Sequence, residues 1–238
     1  MIKIDKTYPA PDYLKSLPVP ADENEVDKCR YNHPLVKSIL KSNQHGKCCY
    51  CETYLNKYDD IEHFRPKKGY IDRRGIMHKP GYYWLTAEWS NLLMSCKTCN
   101  SSHKKNHFGL VDERTRDISH KDISREMPLL VNPLTEDPGM HIRFRRHCAV
   151  EVACGGNAER GRYTISILQL NRPGLRWRRR KVWEQYMLML KQLHLAEGIL
   201  TRMPGDSDVI QLVDTCRKAI RGFQSVRAQY SGMINRQF

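Results

Sequence analysis

The sequence predicts an α+β chain: a small metal-braced unit of strands and a helix, followed by a mostly helical C-terminal domain. Three observations predict it. Two Cys-x-x-Cys pairs, Cys48/Cys51 and Cys96/Cys99, bracket residues 52–95. Between and after them, the pattern reads strand, loop, strand, helix. From Tyr163 onward, apolar residues recur at helical spacing. The chain accordingly divides into residues 1–32, an arm; residues 33–130, the metal-braced domain; and residues 131–238, the helical domain.

Composition narrows the class. The 238 residues are 40% apolar, enough for a real core, and carry a formal net charge of +14. That balance concerns partners rather than fold, and it favours a polyanion. The N-terminal residues lack an apolar h-region, so no leader is expected. No run reaches the about 18 apolar residues of a membrane span. The nine cysteines are odd in number and include two paired spacings. With no secretion signal, they fit a metal site in a reducing, cytoplasmic setting better than a disulfide framework.

The elements follow in order. Pro9, Pro11, Pro18 and Pro20 make residues 1–32 too Pro-rich for a long helix, so an extended arm is expected. Leu35, Val36, Ile39 and Leu40 predict a helix over residues 33–44, with Gly46 as its stop. Residues 59–65 read as a strand ending at Pro66, residues 67–82 as a basic loop, and residues 91–95 as a second strand. A helix is expected after Asn100. Residues 129–131 and 147–153 read as short strands, with Gly155 and Gly156 as a turn. Pro173 and Gly174 separate two helices, Pro204 and Gly205 break the second, and a last helix is expected over residues 208 to about 234.

Each cysteine pair can present two thiolates to one ion, and four thiolates make a closed tetrahedral zinc site. Such zinc is structural, because it has no open position for substrate. Cys49 sits between ligands as a bystander or as a register alternative. Cys29, Cys148, Cys154 and Cys216 read as isolated thiols.

Between the pairs lies Glu62-His63. A carboxylate and a histidine together can supply a metal ligand and a general base, both useful for phosphodiester hydrolysis. On a regular strand, however, adjacent side chains point to opposite faces. Asn100, His103, Lys104 and His107 fall at i, i+3, i+4 and i+7, one face of an α-helix. His103 or His107 is a candidate further ligand there, and Lys104 a candidate phosphate contact. Arg65, Lys67 and Lys68 flank the Glu-His pair as further phosphate contacts. Arg172, Arg176, Arg178, Arg179, Arg180 and Lys181 form the densest basic run, readable as a phosphate track or as a solvated helix face. Tyr82, Tyr83, Trp84 and Trp89 read as core rather than as base-stacking rings.

Residues 48–52, 61–67, 82–93 and 95–108 together resemble the zinc-knuckle branch of the HNH, or ββα-metal, endonucleases. More narrowly, with residues 163–165 and 168–172, they resemble the nuclease subunits of retron-linked and Septu anti-phage defence systems. The resemblance implies a ββα-metal core in residues 33–130 and hydrolysis of DNA, with RNA or tRNA as the alternative substrate. It implies His63 as general base and Glu62 and Asn100 as ligands of a catalytic Mg²⁺ or Mn²⁺, with His103 as a possible addition. Asn91 would pin the loop that positions His63. An ATPase subunit is the expected partner, with a retron reverse transcriptase and its nucleic-acid product as further partners. Where such families carry Asp before the base, this chain has Glu62, which puts the ligand geometry in doubt. The rival reading is a zinc-containing nucleic-acid-binding module without cleavage.

Overall fold

The computed structural model describes residues 1–152 and 157–237. The chain is mixed α/β, with small two-stranded sheets in its first two thirds and helices thereafter. Among the described residues, no helix is long and apolar enough to cross a membrane.

The arm is not simply extended. It holds a one-turn helix, α1 (Asp12–Lys15), and a 3-10 turn (Glu25–Lys28), and it buries Leu14 and Val26. Helix α2 (Pro34–Asn43) begins where expected. Pro34 fills the first helical position and the His33 ring accepts from the Leu35 N–H at 3.2 Å. Its stop is Gly46, whose φ of +70° suits glycine and whose N–H reaches the Lys41 carbonyl at 2.8 Å.

Strand β1 (Asp60–His63) pairs antiparallel with a later strand (Leu92–Ser95), with Glu62 opposite Leu93 and His63 opposite Leu92. Between them a short hairpin, β2 (Tyr70–Ile71) and β3 (Met77–His78), lies in the segment expected to be loop, so the later strand is β4. Gly81 closes this excursion. A Cβ there would sit 2.6 Å from the Pro66 carbonyl oxygen, so only glycine lets the returning chain pass. Val36 and Leu40 of α2 pack with Leu14, Ile61, Leu92 and Met94 in one buried cluster. The outer edge of β4 is capped by a side chain. The Gln44 amide donates to the Met94 carbonyl at 2.8 Å and accepts from the Met94 N–H at 2.7 Å, replacing the partner strand.

Helix begins earlier than expected after β4, and it is wider. Residues Thr98–Lys104 form a π-turn, with the Lys105 N–H bonded to the Asn100 carbonyl at 2.8 Å. Leu129, Leu130 and Val131 are buried but form no strand. The actual hairpin is β5 (Ile142–Arg145) with β6 (Cys148–Glu151). The expected turn at Gly155-Gly156 and Cys154 lie outside the described residues.

Helices α3 (Asn157–Ile167), α4 (Pro173–Leu200) and α5 (Ser207–Gln224) follow, and a short α6 (Ser231–Asn235) replaces the end of the single last helix expected. Asp206 caps α5 by accepting from the Asp208 and Val209 N–H groups. The main core takes residues from Met1 to Ile234, including Tyr50, Phe64, Tyr82, Phe108, Leu130, Phe144, Leu175 and Met233. All three sequence segments therefore contribute to one core.

A half-buried polar knot ties residues 132–160 together within the last segment. Glu136 accepts from the Arg160 guanidinium at 2.5 and 2.7 Å, from the His141 ring at 2.7 Å and from the Asn132 N–H at 3.0 Å. Burial opposes ionisation of Glu136, but these donors outweigh it and hold the carboxyl at about 2. A carboxyl depressed in this way adds stability above its unfolded pKa of about 4.3. That stability is lost as pH falls from there toward about 2. Glu136→Gln is expected to flatten the acid limb of stability between these values, measured by urea unfolding at stepped pH.

Candidate functional site

Two loops build the metal centre. After α2, the Cys48 N–H donates to the Thr53 carbonyl at 2.9 Å, and Glu52 takes a left-handed φ of +62°, turning Cys48 and Cys51 toward one point. The second pair stands at the end of β4 and the start of the π-turn, where the Asn100 N–H bonds to the Cys96 carbonyl at 3.0 Å. The four Sγ atoms lie within 4.8 Å of one another, with Cys51 and Cys96 Sγ 3.7 Å apart. Tetrahedral Zn–S bonds of about 2.3 Å require S···S separations of about 3.8 Å, so the quartet fits zinc. Cys48, Cys51 and Cys99 are buried and Cys96 is half-buried. Burial opposes ionisation of Cys48, yet the surrounding thiols outweigh it and hold Cys48 well below the ordinary thiol range.

Charged residues from distant segments brace this centre. The Arg172 guanidinium, at the start of α4, reaches Cys99 Sγ at 3.4 Å. Glu52, beside Cys51, accepts from the Gly232 N–H at 3.0 Å, from Ser231 Oγ at 3.3 Å and from the Met1 amino group at 2.6 Å. Lys47 pairs with Glu52 at 3.4 Å and donates to the Val226 and Ala228 carbonyls.

The residues singled out in the sequence gather around β1, on both of its sides. His63 is 8% exposed. Its Nε2 lies 2.9 Å from the Thr86 carbonyl oxygen. A carbonyl only accepts, so Nε2 carries the proton and Nδ1 keeps its lone pair. Burial first, then Lys67, pushes the His63 ring down to about 3, so it is neutral at ordinary pH. Asn91 stitches the chain just beyond it. Its Oδ1 accepts from the Arg65 N–H at 2.7 Å, and its Nδ2 donates to the Arg65 and Leu85 carbonyls at 3.1 Å.

Glu62 is buried, with Lys104 Nζ at 2.5 Å and the Tyr50 hydroxyl donating at 3.1 Å. Lys104 also donates to the His63 carbonyl at 2.7 Å. Burial pushes the Glu62 carboxyl up, and Lys104 pulls against it. The Asn100 amide faces the Ile61 carbonyl at 3.4 Å, and His103 is half-buried. His107 lies beyond the π-turn, bridged to Ile71. Among the described residues, the cysteine quartet is the only group of three or more His, Cys, Asp or Glu side chains close enough to share an ion. Glu62, Asn100 and His103 do not fit a divalent ion in this arrangement, because an ammonium already neutralises the buried carboxylate.

The four flanking cations are all engaged within the chain. Arg65 pairs with Glu126 at 3.0 Å, Lys67 donates to the Tyr31 hydroxyl, Lys68 pairs with Asp27 at 2.5 Å, and Lys104 holds Glu62. The basic run on α4 divides by helical phase. Arg179 is buried and donates to the Leu170 carbonyl at 2.6 Å, Arg172 faces Cys99, and Arg176, Arg178, Arg180 and Lys181 are exposed. Tyr82 is in the core against Phe108, 5.4 Å between ring centres. Reading the sequence alone missed Tyr31, Thr86 and Tyr50. An aromatic in an irregular arm, three residues before Pro34, and a threonine in an aromatic loop give no spacing signal.

The sequence is 36% identical over 217 residues to Septu protein PtuB of Bacillus mycoides (strain KBAB4), a match covering 87% of this chain and 72% of that protein. The chain belongs to the Septu PtuB family. A second PtuB, from Bacillus thuringiensis, is 29% identical over 173 residues, which are 71% of this chain and 52% of the relative. Septu protein PtuA of B. mycoides (strain KBAB4) is 27% identical over 155 residues, which are 64% of this chain and only 21% of that protein. No family model and no solved structure matches the chain.

Two outcomes follow from this geometry. Elemental analysis of protein purified without chelator is expected to give one zinc per chain. Cys96→Ser should lose it, and Cys216→Ser, away on α5, should keep it. Removing one partner of a buried ion pair typically costs about 3–5 kcal/mol. Lys104→Met should destabilise by that order in urea unfolding, and adding Glu62→Gln should restore part of the loss.

Proposed function

We propose that this PtuB-family chain is an HNH-type endonuclease that hydrolyses phosphodiester bonds, with DNA as its first substrate class. The observation that carries the reading is the setting of His63. Its ring is neutral, its tautomer is fixed by the Thr86 carbonyl, and Nδ1 is left with its lone pair. It stands at the end of a strand pair followed directly by a cysteine-anchored helical turn, an order that supports the ββα assignment. In this reading residues 33–130 carry the nuclease and residues 131–238 serve docking.

His63 Nδ1 takes a proton from water as the water oxygen bonds to phosphorus, the P–O bond to the sugar breaks, and the leaving oxygen takes a proton from solvent. A ring held at about 3 is a weak base. Burial is the main cause and Lys67 adds to it. An approaching phosphodiester brings negative charge and draws Lys67 away, and both raise the ring toward its working range. Asn91 keeps the Phe64–Arg65 backbone, and so His63, in place while this happens. Glu62 and Asn100 would hold the Mg²⁺ or Mn²⁺ expected of such an enzyme, which would supply charge stabilisation at the phosphate, only in an arrangement with Lys104 off the carboxylate.

The occupied state of Glu62 also favours a second reading, a zinc-braced nucleic-acid-binding module without cleavage. One experiment separates them. His63→Ala should keep zinc, fold and binding, and lose about 10²–10⁴-fold in cleavage rate. Plasmid and total RNA incubated with divalent ions, with ends mapped, would report both activity and substrate. A folded wild-type chain that cuts neither, or a His63→Ala variant that cuts at the wild-type rate, refutes the assignment.

The same reading gives the chain a place in a Septu-type anti-phage complex beside an ATPase subunit. A segment like this chain occurs within the longer relative named PtuA, which supports a module used together with other components. Copurification from the native host, followed by identification of the bound subunits, tests it.

A further inference from the structure

Residues 26–33 pass beside the His63 ring, which Tyr31 touches. Val26 is fully buried and anchors one side, and the Tyr13 hydroxyl donates to the Arg30 carbonyl at 3.0 Å to fix the middle. The Tyr31 and His63 rings meet edge to face, 4.7 Å between centres at 83°. The Tyr31 hydroxyl receives the Lys67 ammonium, which also lies over the Tyr31 ring at 4.2 Å. Four residues earlier, the Asp27 carboxylate takes Lys68 at 2.5 Å. Lys67 and Lys68 are thus both held by one short segment, and one of its two acceptors is an anion.

We infer that Lys67 and Lys68 are a phosphate-binding pair for a nucleic-acid backbone, and that residues 27–31 are a strap that occupies this pair and covers His63 until the backbone displaces it. The inference rests on His63 being the base. Its physical basis is that Asp27 stands where a phosphate oxygen would, with Tyr31 as a neutral acceptor beside it. The Asp27–Lys68 pair is solvated, with side chains 72% and 48% exposed, and such pairs are weak and screened by salt. A polyanion offers several charges at once and outcompetes one carboxylate. Room for the opening already exists. A cavity of about 440 Å³ is walled by Tyr13, Arg30, Tyr31, His33 and Lys67 among others, and His63 is not among its walls. Tyr31 lines this space and can swing into it.

The strap is read without relying on cleavage. Diethyl pyrocarbonate modifies neutral, accessible imidazole, so labelling of His63, quantified by peptide mass spectrometry against exposed His194, reports its cover. In the full chain, Asp27→Asn and Tyr31→Ala should each raise the His63 labelling rate severalfold, and added salt should raise it in the wild type. Asp27→Asn, on a solvated side chain, is the variant that leaves folding undisturbed. Binding to a fluorescent DNA duplex should tighten in Asp27→Asn. In the Lys67→Ala/Lys68→Ala variant, the slope of log affinity against log salt should shrink by about 1.8. Wild-type labelling and affinity in folded strap variants would overturn the inference. Faster labelling and tighter binding without cleavage in any variant would uphold the strap and reject the nuclease. Cleavage by wild type with labelling unaffected by the strap variants would do the reverse.

Discussion

The meeting of four sulfur atoms from loops 45 residues apart fixes nearly everything near β1. Four buried thiols crowded together have little reason to stay so, whereas zinc bound to such a set contributes on the order of 10–16 kcal/mol to folding. The consequences run outward along the chain. Cys51 sets the turn that brings Tyr50 to Glu62, and Cys99 starts the π-turn that delivers Lys104 to the same carboxylate. β1 is thus held at its Glu62 face by groups that both descend from cysteine knuckles. The helical segment adds Arg172 against Cys99, placing a positive charge next to a cluster of sulfurs.

Much of this was legible in the sequence where a period or a spacing existed. The 3.6 period over residues 33–44, the apolar run at 91–95 and the paired cysteines each name one structure with few competitors. What lacked a period was lost. The β2–β3 hairpin has two residues per strand, too few to show alternation. Leu129–Val131 is as apolar as a strand but is buried as single chain. Phase misled at Lys104. On an α-helix, Asn100, His103 and Lys104 share a face, but the π-turn advances less per residue, and Lys104 points into the interior toward Glu62 while His103 is left half-buried. Long-range pairing was invisible as well. No local pattern links Lys68 to Asp27 or Arg65 to Glu126, because charges find one another only after the chain has folded.

The two halves of the Glu62-His63 dipeptide lead separate lives. Strand geometry sends one toward Tyr50 and Lys104 and the other toward Tyr31 and Thr86. Only the strand backbone joins them, and Lys104 spans the gap by touching both the Glu62 carboxylate and the His63 carbonyl. A change on either side is therefore felt on the other through the position of β1 rather than through a shared ligand. Asn91 guards the exit of that strand, holding both the N–H and the carbonyl of Arg65.

The Lys47–Glu52 pair has a consequence for synthesis. Lys47 donates to the carbonyls of Val226 and Ala228, 179 and 181 residues further along, and Glu52 accepts from Ser231 and Gly232. Chains emerge from the ribosome at about 5–20 residues per second, so these partners appear about 10–40 s after the first knuckle. Through that interval the Lys47 ammonium and the Glu52 carboxylate are met by water instead of these partners, and the loop that carries the thiols is not yet braced. The knuckle therefore gains its full bracing only once residues 226–232 have been made. Bracing of the thiol loop is thus set by a segment made long after the cysteines themselves.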